Sequence, residues 1–94
     1  MPQLDLESRF AHKDSVLFSE VADGVSLMDI DSGNYYHYEP VAADIWNRID
    51  GKKTVGEICA DLQEIYQVDP ETCLKDTLEF LQEIDELQLI SRVG

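Results

Sequence analysis

The pair Glu39-Pro40 divides this chain into two kinds of sequence. Ahead of it, apolar residues fall in short β-prone runs separated by turn chemistry. Beyond it they recur at helical spacing. A chain with that switch of periodicity reads as α+β, a small sheet followed by packed helices. Its 94 residues leave room for one core and no second one.

The strand half begins near Ser15. Val16-Leu17-Phe18 and Val21 are β-prone, Asp23-Gly24 is a strong turn dipeptide, and Val25 to Ile30 supplies a second strand. Asp31-Ser32-Gly33-Asn34 gives a second turn, with Gly33 free to take a positive φ. Tyr35-Tyr36-His37-Tyr38 then reads as a third strand, so an antiparallel meander of three strands is expected. Tyr36 and Tyr38 should point to one face of that strand, and Tyr35 and His37 to the other. No lysine or proline interrupts Tyr35 to Tyr38. Such an unprotected strand, if it lies at the sheet edge, is a template for an incoming strand; cover by the N-terminal arm is the alternative. That arm, residues 1–14, reads as flexible, or as ordered only by packing Leu4, Leu6 or Phe10 onto the domain formed by residues 15–94.

Pro40 is well placed in the first turn of a helix, and Glu39 beside it can accept from the free N–H groups there. The first helix is expected from near Pro40 to Ile49, burying Val41, Ile45, Trp46 and Ile49, and Asp50-Gly51 closes it. Thr54-Val55-Gly56-Glu57 has the form of a capping box and opens a second helix whose inner face carries Val55, Ile58, Cys59, Leu62 and Tyr66. Asp69-Pro70-Glu71 starts a third, running to about Glu86, after which Leu87 to Val93 form a short extended tail. On the third helix Leu74, Thr77, Leu78, Leu81 and Ile84 share a face. Cys73, Phe80 and Leu87 widen it on one side only, with Asp76 and Glu83 just beyond. An apolar shoulder with an acidic rim is half of a groove. Periodicity alone favours the plainer arrangement, with Phe80 packed against the sheet or the second helix.

Charge and cysteine content exclude more than they select. Twenty acidic against seven basic residues give a net charge of −13. Such a surface repels phosphate backbones and anionic membranes, and it tolerates or attracts a basic or neutral peptide. Two cysteines without a framework spacing favour a reducing compartment. With no spanning apolar run and no signal-peptide pattern, the chain reads as soluble and cytoplasmic.

Catalytic chemistry finds no constellation. Cys59 and Cys73 occupy helical core positions with no histidine at motif spacing, and His12 and His37 complete no zinc pattern. The turn glycines form no phosphate loop. Neither an enzyme, nor a metal, nor a cofactor is expected.

A wider pattern then emerges. Leu27-Met28-Asp29, Ser32-Gly33-Asn34-Tyr35-Tyr36, and Ala42 to Trp46 resemble the PqqD-like family. So do Ile49-Asp50-Gly51-Lys52-Lys53-Thr54-Val55, with Ile58, Leu62 and Tyr66 following, and Asp76-Thr77-Leu78-Glu79-Phe80-Leu81. The likeness runs from about Val16 to Ile90. It implies a winged-helix-like fold, a three-stranded antiparallel sheet followed by three helices, serving as the recognition element for ribosomally made, modified peptides. In that family the leader segment of the precursor adds to the third strand and lies against the third helix, for presentation to a leader peptidase or another modifying enzyme. Carried over, the strand-pairing positions are Asn34, Tyr35, Tyr36, His37 and Tyr38. The groove positions are Cys73, Asp76, Thr77 and Phe80. Tyr38-Glu39 departs from the Leu-Asn many relatives carry there, which alters the pocket near Tyr38. The likeness is nearer to stand-alone proteins of lasso peptide clusters than to the pyrroloquinoline quinone member, whose role as peptide chaperone for a radical SAM enzyme is the alternative. A winged-helix transcription regulator is the rival from another class, but it needs a basic recognition helix, and Lys75 is the one cation between Thr54 and Glu86. A monomer or a weak dimer through the third strand is expected.

Overall fold

The computed structural model describes residues 6–93. Its elements are β1 (Arg9–His12), β2 (Val16–Val21), β3 (Gly24–Asp29), β4 (Asn34–Tyr38), α1 (Pro40–Arg48), α2 (Val55–Tyr66), α3 (Pro70–Glu86) and β5 (Ile90–Val93). The expected three-stranded antiparallel sheet is present in the order β2-β3-β4, followed by the three helices. A second sheet of β1 and β5 accompanies it.

Local chemistry sets the meander. Val21 pairs with Gly24 and Asp29 with Asn34, which leaves Ala22-Asp23 and residues 30–33 as the connections. Gly33, at φ +76°, completes the second turn, where its N–H donates to the Asp29 carbonyl at 2.7 Å. Register puts Val25, Leu27 and Asp29 on one face opposite Tyr38, Tyr36 and Asn34. Those three β3 residues are buried beneath the sheet, while Tyr35 and His37 occupy the solvent face.

The helices start where the capping residues place them. Thr54 Oγ1 accepts from the Glu57 N–H at 3.2 Å and the Glu57 carboxylate accepts from the Thr54 N–H at 2.9 Å, a complete capping box. Asp69 caps α3 by accepting from the Thr72 N–H at 3.2 Å, with Pro70 in the first turn. Glu39 is the N-cap residue of α1, yet its side chain makes no capping bond, contrary to expectation. Trp46, Val25, Val55, Leu81, Ile84 and Leu89 are fully enclosed in the core between sheet and helices.

Three expectations are refined or corrected. Of the two readings of the arm, order through Phe10 holds for its described part, which also carries a strand: β1 pairs antiparallel with β5, so the tail is paired as well. Phe10 is 2% exposed and anchors that strand, whereas Leu6 stays exposed and Leu4 lies outside the described residues. The Ser8 and Leu6 carbonyls also accept from Val55 and Gly56 at the head of α2, giving the segment local partners. Val41 does not enter the core; it is 50% exposed, and Ala43 takes the inward position. On α3 the buried line is Cys73, Thr77, Leu81 and Ile84, with Leu74 and Leu78 only partly covered. Cys73 is thus a core residue, as its reading as a buried thiol expects, rather than a shoulder.

β1 also brings a titrating group onto the core. His12 stacks on the Trp46 ring with centroids 3.8 Å apart, and its Nε2–H donates to the Trp46 carbonyl at 2.8 Å. Burial lowers its pKa below the ordinary 6.5, outweighing the carbonyl, which raises it. The unfolded chain therefore takes up this proton more readily than the folded one. Stability is full above the ordinary pKa and declines as pH falls through it toward the folded value. Denaturation midpoints measured from about pH 8 down to about pH 5 should fall, and less so for His12→Gln. Equal slopes in the two proteins would discard this assignment.

Candidate functional site

β4 is the feature from which the site is built. It pairs with β3 on one side, and its other edge has no strand beside it among the described residues. The described part of the arm does not cover that edge, because its strand β1 is engaged with β5. The N–H and C=O groups along an open edge retain their capacity to pair. All five strand positions singled out in the sequence, Asn34, Tyr35, Tyr36, His37 and Tyr38, lie on this element. Tyr36 and Tyr38 are half-buried toward the core, and Tyr35 is 75% exposed on the opposite face. His37 sits on that outer face near Ser26 Oγ at 3.4 Å and Asp23 at 3.8 Å.

α3 stands beside the end of the strand. The Tyr38 and Phe80 rings meet edge to face, centroids 5.0 Å apart. Burial, then a hydrogen bond to the Glu83 carboxylate and its charge, raise the Tyr38 hydroxyl well above its ordinary pKa. Tyr38 therefore stays a neutral donor throughout the physiological range. Phe80 packs as periodicity favoured, on the sheet, while remaining partly open to solvent.

One helical turn before Phe80 there is a cavity of about 270 Å³. Its wall is formed by Val41 and Ile45 of α1, Leu62 and Tyr66 of α2, Val68 of the following connection, and Cys73, Asp76 and Thr77 of α3. Three of the four groove positions proposed from the sequence thus share one concavity, and Phe80 lies beyond it against Tyr38. The lining is mostly apolar. Thr77 is 1% exposed, and its hydroxyl has the Cys59 thiol near it but no hydrogen-bond partner among the described residues. The Tyr66 hydroxyl donates to Asp44, which raises its pKa and holds α2 against α1 at the cavity rim.

Sequence reasoning missed the contribution of α1 and of Val68. Val41 was the available signal, an apolar residue immediately after the edge strand, but it was assigned to the core. Val68, 39% exposed between Gln67 and Asp69, is likewise an apolar residue in a connection that needs none.

Other chemistry is sparse. Cys59 and Cys73 are buried free thiols, the Cys73 Sγ–H donating to the Cys59 carbonyl at 3.6 Å, and burial pushes the Cys59 pKa up, the reverse of an activated nucleophile. No group of His, Cys, Asp and Glu residues suited to a metal ion occurs among the described residues. No helix among them is long and apolar enough to cross a membrane.

The family model for Coenzyme PQQ synthesis protein D (PqqD) matches residues 24–90. This chain belongs to the PqqD family. The matched span begins at Gly24, includes β4, all three helices and the cavity, and ends at Ile90, leaving β1 and β2 ahead of it. No curated protein matches the chain. Among solved structures it is similar to TbiB1 in complex with the TbiA(beta) leader peptide, with a TM-score of 0.80 and 26% identity over 86% of this chain and 94% of that one. It is also similar in fold to lasso peptide synthetase B1 complexed with the leader peptide, with a TM-score of 0.80 and 19% identity over 88% and 98% of the two chains.

Proposed function

We propose that this PqqD-family protein is a non-catalytic recognition element that binds the leader segment of a ribosomally synthesised precursor peptide. The leader adds as a strand to the outer edge of β4 and lies against α3, with an apolar side chain in the cavity beside Thr77. A leader peptidase or other modifying enzyme then acts on the peptide so held. The observation that carries this reading is the unpaired β4 edge next to the 270 Å³ cavity. It is supported by the likeness to TbiB1, which is bound to a leader peptide. Strand addition suits such a partner because backbone pairing supplies affinity for any extended segment, while a pocket reads the side chains.

Binding to a lasso-type leader is the finer reading. Service to pyrroloquinoline quinone synthesis is the second, favoured by the description of the matching family. Fluorescence anisotropy separates them. A labelled leader encoded beside this gene should bind saturably, with affinity lost on scrambling, and should outcompete the precursor peptide of pyrroloquinoline quinone. The reverse preference would move the protein to quinone synthesis. Absence of binding to either, with the protein folded, would remove the leader-binding reading.

A further inference from the structure

Basic residues are sparse around the candidate site, with Lys75 the one cation on α3. None lies between Lys13 and Arg48, a stretch that contains β2, β3 and β4, and only Lys75 lies between Lys53 and Arg92. Two of the remaining cations are already engaged, with Arg48 at 3.4 Å and Lys53 at 2.9 Å from Asp61. Along α3, Asp76 lines the cavity and Glu83 lies beside Tyr38, with Phe80 between them. Both carboxylates are solvent-exposed, and neither has a cationic partner among the described residues. A ligand on this wall therefore meets two uncompensated negative charges separated by an aromatic ring.

The cavity adds an independent constraint. Thr77, 1% exposed with its hydroxyl beside the buried Cys59 thiol, is part of its wall. A mostly apolar lining of this kind, with Val41, Ile45, Leu62 and Val68 around the opening, takes a large apolar side chain as its occupant.

We infer that the α3 wall selects leader segments in which a large apolar side chain is flanked by lysine or arginine, the apolar group filling the cavity over Thr77 and the cations meeting Asp76 and Glu83. This rests on the strand-addition reading above, and it specifies the chemistry of the peptide. The spacing is consistent. Seven helical residues separate the carboxylates by about 10 Å along the axis. Side chains on one face of an added strand recur every 7 Å or so, hence cations about two positions either side of the anchor reach both carboxylates on their flexible stems. Acid on the wall also discriminates: an acidic flank would bring like charges together.

The test uses the full chain and a phage-displayed library of random peptides about twelve residues long, enough to extend past a five-residue edge strand. Selected sequences are synthesised and measured by anisotropy at low and high salt against wild type, Phe80→Ala and the double variant Asp76→Asn/Glu83→Gln. Enrichment of lysine or arginine around one large apolar residue is expected. Affinity should fall about tenfold in the double variant at low salt, with most of the salt dependence gone. Binders lost in Phe80→Ala but indifferent to the double variant and to salt would overturn the charge selection and leave strand addition standing. Failure to enrich any peptide that depends on Phe80 would overturn both.

Discussion

Phe80→Ala is expected to weaken leader binding by about three- to tenfold while the protein remains folded. The ring is only partly buried and meets Tyr38 edge to face, so it forms the boundary between core and cleft rather than the core itself. Fully burying an exposed aromatic side chain is worth about 1.5–3 kcal/mol, of which a peptide gains roughly half at this partly covered ring, and each 1.4 kcal/mol is about tenfold in affinity. Alanine removes that area without adding charge, which keeps the result independent of any preference for basic peptides. Because the truncation also removes a packing contact with Tyr38, a second variant guards the interpretation. Val41→Trp changes a residue that is 50% exposed at the head of α1 and lines the cavity. An indole there takes up much of the 270 Å³ space while leaving the core untouched. Circular dichroism should show both variants folded, and anisotropy should show both binding weakly. Native affinity in two folded variants would place the peptide elsewhere on the protein.

Much of this arrangement was legible in the residues because it is locally determined. Gly33 fixes the second turn of the meander and Asp23 the first, which falls on Ala22-Asp23, one residue ahead of the expected Asp23-Gly24. Thr54 and Glu57 fix the start of α2, and Asp69-Pro70 fixes the start of α3. The pairing of β1 with β5 has no such signal. Its two strands are four residues each and join opposite ends of the chain, so nothing in either segment announces the other. Only Phe10, a lone aromatic in a charged stretch, hinted that the arm was anchored. The face of α3 was misread for a related reason. Apolar residues cover more of that helix than the core uses, and the helices it packs against decide that Cys73 turns inward beside the expected Thr77 while Leu74 and Leu78 move to the margin. Periodicity locates a face; the neighbouring helices locate its centre. The cavity was legible only in part, since its α1 wall depends on where α1 is set against α2 and α3.

Gly24→Ala should be the most damaging single-methyl change in the sheet, and it bears on binding as well. Gly24 has a φ of +143°, a conformation that suits glycine alone. A Cβ there would overlap the Tyr38 carbonyl oxygen and come within 2.8 Å of the Tyr38 carbonyl carbon and 3.1 Å of the Glu39 Cα. These are backbone atoms of the strand end and the helix start, and they cannot turn aside as a side chain can. Backbone strain of this kind costs about 1–3 kcal/mol before any steric displacement is added. A total near 3 kcal/mol lowers the melting temperature of a domain this size by about 12–24 °C. Gly33→Ala is the matched control: φ is +76°, but a Cβ there meets nothing within 4 Å, so only the smaller conformational cost of about 1 kcal/mol applies. Thermal denaturation should therefore rank the two variants far apart, and equal losses would refute the close approach of β3 to the end of β4. Below its melting point, Gly24→Ala relieves the overlap by moving Tyr38 away from Val25, its partner across the ladder. That movement shifts the strand edge and the Tyr38–Phe80 contact together. Leader affinity should consequently fall in the folded Gly24→Ala protein and stay near native in Gly33→Ala, a contrast that a purely global loss of stability would not produce.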